Sequence, residues 1–361
     1  MRQNINTRIC LVVDCLSTGG AEKAAARLSV ELDKLGYSIS IITFLDDVVY
    51  NYQGKLVNLG IKESSIKPIR HFQKLSRLQQ FLKQEQPSLI IDFRMRNHWF
   101  KERMLYTAVF KKYAMCYVVS SSHIAWHLPK GSFFKKVYNN AHVVGVSKYI
   151  ASKLAKDYAL EKVHYIPNFY NELEEGVQIA RPTDVPENYI VAVGSLRNAI
   201  KQFDQLIATY ERSRLPKHQI ALVILGEGED RENLESLISA LNLTNKVLLL
   251  GYKSNVEAYL KYANFLVLSS KLEGFPNVIL ESLSLGTPVV SFDCVSGPSE
   301  MITDKENGLL VANQNFGALR KALDDFSTDK ELYNHCKTHA QQNLTKFSTD
   351  TIMRKWLEIL K

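Results

Sequence analysis

"NFLVLSSKLEGFPNVILE", residues 264 to 281, changes character three times. A buried apolar run reads as a strand, a short polar loop carries Glu273, and Pro276 opens a helix in which Val278, Ile279, Leu280 and Leu283 are the apolar positions. Proline suits the first helical position, where its missing N–H costs nothing. Asn277 and Glu281 stand four apart on one face of that helix. Strand, loop, helix and the following "PVVSFD" (288 to 293) form a βαβ unit, whose ligands sit at the carboxyl ends of the strands. A carboxylate at Glu281 could accept two hydrogen bonds from vicinal hydroxyls, as a ribose presents, and Glu273 could meet other hydroxyls. On spacing alone, a charge near a helix start and a surface glutamate account for both acids better than a ligand does. The rest of the chain has to decide.

The same rhythm extends both ways. In the first half, strands are expected at "RICLVVDCL" (8 to 16), "SISIITFL" (38 to 45), "SLIIDF" (88 to 93), "CYVVSSS" (116 to 122) and "HVVGVS" (142 to 147). A polar stretch with two prolines and an acid cluster, "ELEEGVQIARPTDVPEN" (172 to 188), reads as a linker. The pattern restarts at "YIVAVGS" (189 to 195), "IALVILGEG" (220 to 228), "KVLLLGY" (246 to 252), "NFLVLSS" (264 to 270), "PVVSFD" and "GLLV" (308 to 311). Amphipathic stretches such as 231 to 243 and 255 to 263 separate these runs. The expected fold is α/β: two doubly wound, Rossmann-like domains facing across a cleft. Their expected limits are 1–180, for acceptor binding, and 181–345, for donor binding. Residues 346–361 form a capped final helix, "STDTIMRKWLEIL", that returns to the first domain.

Composition narrows the class. With 361 residues, 46% hydrophobic and 23% charged, the chain is an ordinary globular protein of more than one core. Five scattered cysteines without a C-x-x-C pair outline neither a disulfide framework nor a zinc site. The apolar run near the N-terminus is too short for a membrane span and lacks a cleavage pattern, so a cytoplasmic location is expected. The net charge of +8 is concentrated in residues 51 to 150, which hold 17 Lys and Arg against 4 Asp and Glu. Basic residues alternate there with aromatic and aliphatic ones, in 69 to 84, 101 to 113 and 131 to 138. Without a nucleic-acid motif, this mixture fits peripheral contact with the inner membrane better than nucleic-acid binding, and solvated helix faces explain each segment equally well.

Two further loops follow strands. In "STGGAEKAAARL" (17 to 28), Gly19 and Gly20 allow close backbone approach at a helix start, which also describes a plain tight turn. In "VGSLRNAIKQFDQLI" (193 to 207), Gly194 and Ser195 close a strand, and Arg197 and Lys201 stand where a helix should begin. Two cations there suit a diphosphate, and an exposed basic helix start is the other reading.

Taken together, "SSKLEGFPNVILESLSLGTPVVSFDCVSGPSEMI" (269 to 302), "STGGAE", "VGVSKYIASKL" (144 to 154), "HYIPNFYN" (164 to 171), "LGEGEDRENLESL" (225 to 237) and "LGY" (250 to 252) resemble the retaining glycosyltransferases of family four. These have the GT-B fold of two Rossmann-like domains. The resemblance implies that Glu281 holds the ribose of a nucleotide-sugar and Glu273 the transferred sugar. Gly274, Phe275, Pro276, Asn277 and Val278 would lie along the sugar and phosphates, and Lys201 would neutralise the departing diphosphate. Ser195 stands where the family usually has an arginine, a charge that Arg197 would replace. Tyr252, Gly20 and Asn168 complete the implied donor site. His123, in "VVSSSHIAWHLPKG" (118 to 131), matches a histidine facing the sugar, with His127 as the alternative; a lone histidine after a strand is also commonly structural.

The implied catalytic set is His123, Glu273 and Lys201. The implied reaction moves a hexose or N-acetylhexosamine from a nucleotide diphosphate sugar, UDP in the first instance, with retention. The acceptor would be a sugar carried on a polyprenyl diphosphate, in bacterial surface-glycan assembly. No D-x-D triplet occurs, so no bridging metal and no cofactor are expected. Three rivals stay open: an epimerase or phosphorylase on the same fold, a nicotinamide oxidoreductase, and a non-catalytic sugar-binding module. The absent G-x-G-x-x-G weighs against the oxidoreductase.

Overall fold

The computed structural model describes residues 7–17, 19–61, 67–170 and 178–360, and the side chains of all these except 67–70. Thr18 of the first glycine turn, 172–177 of the expected linker and the last residue of the final helix stretch lie outside the described residues. The chain divides into two compact units, Met1–Pro167 with Met353–Lys361, and Asn168–Ile352.

In the first unit seven strands form a parallel sheet: β1 (Arg8–Val13), β2 (Ser38–Thr43), β3 (Lys55–Asn58), β4 (Leu89–Asp92), β5 (Met115–Val119), β6 (His142–Gly145) and β7 (Val163–Tyr165). Their order is β3-β2-β1-β4-β5-β6-β7. Continuous Val, Ile and Leu runs are what a strand covered on both faces requires, and every residue of β4 and β5 is buried. The edge strands β3 and β7 were not expected. They are short and mostly half-buried, so "KLVN" and "VHY" carry little of the apolar signal of a central strand. The part of the final helix that groups with this unit packs Trp356 near Phe93, ring centroids 6.4 Å apart, and Lys355 Nζ donates to the Tyr165 carbonyl at 3.4 Å.

The second unit holds β8 (Tyr189–Val193), β9 (Ala221–Leu225), β10 (Val247–Gly251), β11 (Leu266–Leu268), β12 (Val289–Asp293) and β13 (Gly308–Ala312), in the order β10-β9-β8-β11-β12-β13. All neighbours are parallel, and all six strands fall where the sequence places them. Their core includes Ile190, Phe265, Val290 and Leu323, none more than 1% exposed.

Strand order reverses between β1 and β4 in the first sheet and between β8 and β11 in the second. At such a switch point the connections leave in opposite directions, opening a crevice at the carboxyl ends of the two strands. The loop after β8 carries Lys201 and the loop after β11 carries Glu273.

Candidate functional site

These two loops are stitched together. The Lys271 amide donates to the Ile200 carbonyl at 2.8 Å, and Ser269 Oγ donates to the Lys201 carbonyl at 2.8 Å. With the backbones fixed, Lys201 Nζ reaches Glu273 Oε1 at 2.6 Å, the two side chains 18% and 11% exposed. Gly194 makes room for this reach, since a Cβ there would lie 2.9 Å from Lys201 Cε. Two residues assigned separate tasks on sequence grounds are therefore partners. A half-buried pair of this kind keeps both charges in place in a poorly hydrated crevice, at low reorganisation cost when an anion arrives.

The expected helix start around Arg197 and Lys201 is broken. A four-residue turn, Asn198–Lys201, ends at Gln202 in the left-handed conformation, and a second helix begins at Phe203. Arg197 precedes the turn in extended conformation, largely exposed, with Nε 3.8 Å from Glu229 Oε1. The two cations thus pair with different carboxylates. Ser195 and Tyr252 are both exposed, Ser195 just beyond the end of β8 and Tyr252 directly after β10.

The segment Gly274–Pro276 is buried and held from below. Ser296 Oγ donates to the Gly274 carbonyl at 2.6 Å. Phe275 packs edge-on against Phe347, centroids 5.5 Å apart. Gly297 adopts φ +103°, and a Cβ on it would come within 2.4 Å of Pro276 Cδ, so only glycine fits this contact. Pro276 caps the helix Asn277–Ser284 and is not its first residue, because its ψ of 94° is still extended. This shifts the expected start by one position. Asn277, half-buried, accepts a hydrogen bond on Oδ1 from Asn168 Nδ2 at 2.7 Å, which ties two expected donor-site residues together. Val278 is half-buried beside it, and Glu281 is only 5% exposed one turn on. Glu281 is therefore an acid inside the apolar helix, and it is for Glu273, its side chain 11% exposed, that the surface reading fails.

Sequence reasoning missed Ser269, Ser296, Gly297 and Cys294. Burial, with Glu273 adding to it, pushes the Cys294 thiol up to about 12, which keeps it uncharged behind the ion pair. The only signal for this support was the tight "SGP" at 296 to 298.

In the first unit, Gly20 begins the helix Gly20–Lys34, with Gly19 as its cap at φ +104°. Glu22 folds back toward Gly19. Burial raises its carboxyl to about 7 against the opposing helix amide, and Asp14 adds to the rise. His123 is exposed, caps the short turn Ile124–Trp126 and leans on Trp126, ring centroids 4.6 Å apart. His127, the alternative histidine, is 3% exposed. Its Nε2 lies 3.3 Å from Ser120 Oγ, and burial followed by the Arg96 charge drives its pKa down to about 3. Of the two histidines the structure thus buries His127 and exposes His123.

Arg96 belongs to a buried charge cluster that "DFRMR" (92 to 96) did not reveal. Arg94 pairs with Asp92 at 2.8 Å and with Glu102 at 3.1 Å, and Arg96 lies 3.2 Å from Asp92. Arg96 also donates to the carbonyls of Asp92, Arg94, Val118 and His127. Among the described residues, no group of three or more His, Cys, Asp or Glu is placed to hold a metal ion.

Two family models match successive parts of the chain. Residues 18–172 match Glycosyltransferase Family 4, and residues 178–343 match Glycosyl transferases group 1. Over 95% of its length the chain is 25% identical to an uncharacterized glycosyltransferase of Haemophilus influenzae, covering 97% of that protein. It is 23% identical to the amylovoran biosynthesis glycosyltransferase AmsD of Erwinia amylovora, over 98% of this chain and 99% of the relative. A stretch of 159 residues is 40% identical to the N-acetylgalactosamine-N,N'-diacetylbacillosaminyl-diphospho-undecaprenol 4-alpha-N-acetylgalactosaminyltransferase of Campylobacter jejuni, covering 43% of this chain and 42% of that one. Among solved structures, TarM of S. aureus, in a complex with UDP, superposes with a TM-score of 0.78 at 16% identity, over 98% of this chain and 100% of that one. The pneumococcal O-GlcNAc transferase GtfA in complex with UDP and GlcNAc gives 0.78 at 12% identity, over 99% of each chain. The fold is GT-B.

Proposed function

The chain belongs to the glycosyltransferases of group 1 and family 4, and from that premise we propose that it moves a hexose or N-acetylhexosamine from a UDP-sugar to an acceptor sugar on a polyprenyl diphosphate, with retention of configuration, in bacterial surface-polysaccharide assembly. The observation that carries the reading is the Lys201–Glu273 pair at the β8/β11 switch point, beside the buried Gly274–Pro276 segment. The complexes with UDP of distant relatives and the undecaprenol-linked substrate in the name of the Campylobacter relative support the choice of donor and acceptor.

In this reading the bond from sugar to phosphate breaks, positive charge grows on the ring and negative charge on the leaving diphosphate. Lys201 turns from Glu273 to the diphosphate, with Arg197 as the second cation. Glu273, released, accepts hydrogen bonds from sugar hydroxyls. Glu281 takes the ribose hydroxyls, and Gly20, Asn168, Ser195, Tyr252 and the backbone from Gly274 to Val278 line the donor. His123 faces the sugar. The acceptor attacks from the side the diphosphate leaves, and a diphosphate oxygen takes its proton. The reading needs no resident metal or cofactor, so turnover should persist in EDTA. We assign the protein to the cytoplasmic side of the membrane.

The test is a screen of UDP- and GDP-sugars for thermal protection and for release of nucleotide diphosphate, with and without a polyprenyl-diphosphate acceptor. Release that depends on a UDP-sugar and on the acceptor supports the reading. Conversion of a UDP-sugar without any acceptor would replace it with an epimerase.

A further inference from the structure

In the first unit, the helix Trp99–Ala108 is turned inside out for a helix on a protein surface. Its inward stripe is Glu102 and Leu105, continued by Val109, while its outward side presents Phe100, 70% exposed, and Met104, 56% exposed. These two stand one turn apart on the same face. Trp99 and, just before the helix, Met95 extend this apolar crest, 41% and 49% exposed.

The stretch of chain that carries the crest exposes a single sign of charge. From residue 93 to residue 156 the chain has one carboxylate, Glu102, and it is buried against Arg94. Every exposed formal charge in that span is therefore positive. Lys101 and Arg103 flank Phe100 and Met104, and Lys111 and Lys112 follow the helix end. Lys135 and Lys136 are exposed on the neighbouring helix Ser132–Asn139. The two helices are locked edge to edge. Trp99 meets Phe134 at 5.8 Å, Tyr106 meets Phe133 at 5.9 Å, and the Arg103 guanidinium lies 5.0 Å from the Phe133 ring centre. The crest and its cations thus form one rigid surface.

We propose that this surface, Met95, Trp99, Phe100 and Met104 ringed by lysine and arginine, seats the protein on an anionic lipid bilayer, with the apolar crest among the acyl chains. Charge complementarity selects this occupant. Anionic headgroups answer the exposed lysines and arginines of this segment, with Asp14, which accepts from the Met95 amide at 3.0 Å, as the carboxylate at its edge, and the two thioethers and the phenyl ring at its centre gain most by leaving water for hydrocarbon. The inference rests on the lipid-carried acceptor proposed above and supplies the means by which the chain reaches it.

The experiment uses the whole chain, vesicles containing neither donor nor acceptor, and co-sedimentation. Wild type should bind phosphatidylcholine vesicles containing phosphatidylglycerol at least about tenfold more tightly than phosphatidylcholine alone. Phe100→Ser with Met104→Ser should weaken binding to the mixed vesicles by about tenfold or more, and Lys135→Glu with Lys136→Glu should abolish the preference for phosphatidylglycerol. Both variants alter only exposed side chains, and unchanged thermal melts establish that they fold. Equal partition of wild type onto the two vesicles, or binding that neither double variant changes, overturns the proposal. So does duplex nucleic acid binding, or self-association, that both variants abolish while vesicle binding is absent. Because catalysis is not measured, failure here leaves the transfer reaction standing, and failure of the donor screen leaves this surface standing.

Discussion

Replacing Glu273 by glutamine should move binding and turnover in opposite directions. The Lys201 ammonium is held 2.6 Å from the Glu273 carboxylate, so a nucleotide diphosphate should compete with that carboxylate for the cation. At this separation the attraction is about 6 kcal/mol at an effective dielectric of 20, most of it cancelled by the cost of desolvating both groups. Glutamine keeps an acceptor oxygen for Lys201 and removes the charge. The remaining difference is about 1–2 kcal/mol, scaled down because both side chains keep some contact with water. UDP should therefore bind Glu273→Gln about 5- to 30-fold more tightly than wild type. Over the same substitution kcat/KM for the UDP-sugar should fall about 100-fold or more, since the carboxylate that grips the sugar is gone. Titration calorimetry with UDP and a coupled assay of UDP release measure the two quantities. Lys201→Ala should lose UDP affinity, and in the double variant the gain from glutamine should vanish, because the coupling requires both partners. Unchanged or weaker UDP binding by Glu273→Gln refutes the reasoning.

Asp92→Asn would leave two buried guanidiniums facing a single carboxylate and should cost about 3–5 kcal/mol in urea unfolding. Burial alone would raise the Asp92 pKa, but Arg94 and Arg96 outweigh it and hold the carboxyl below the usual range, so its stabilisation is present above the unfolded pKa. Wild type should lose that stability as pH falls through the lowered value, and the asparagine variant should show a flatter acid limb. Glu22 has the opposite sign. With its folded pKa raised to about 7, folding is penalised increasingly as pH rises from the unfolded value of 4.5. Glu22→Gln should change stability little at pH 4 and raise it by up to about 3 kcal/mol at pH 8, read from melts at the two pH values. Gly297→Ala should push Pro276 aside, cost about 1–3 kcal/mol and raise the KM for donor, because the positive φ and the 2.4 Å contact both forbid a Cβ. A normal melt and normal KM would show that the Gly274–Pro276 loop does not depend on this support.

What could be read in advance followed physical signal strength. Eleven of the thirteen strands were legible because central parallel strands are continuous β-branched runs, whereas β3 and β7, at the sheet edge, lack that signature. "LEGFPNVILE" gave the loop, the helix and an acid on its apolar stretch, since a proline after a strand and an apolar helical stripe are local features, while the burial of Glu281 came from the structure. The Lys201–Glu273 pair was not legible, because its members are 72 residues apart and meet only through the order of the strands. Gln202 in the left-handed region gave no warning, as glutamine carries no turn signal of its own. "DFRMR" gave no sign of a buried cluster because charged residues are ordinarily solvated; only the structure shows Arg94 and Arg96 balanced by Asp92 and the more distant Glu102 in the core.

The stitched loops after β8 and β11 also bear on how the protein comes into being. A ribosome emitting this chain has delivered Lys201 well before Glu273 exists, and β9 and β10, on one side of β8, are synthesised before β11, which pairs on the other. Pairings between distant parts of a chain are slow to form. The crevice is therefore assembled late, and a nascent or truncated chain ending before Glu273 has the cation but nothing to hold it in place. Such a fragment should sequester no nucleotide-sugar, which confines donor capture to molecules that have finished folding.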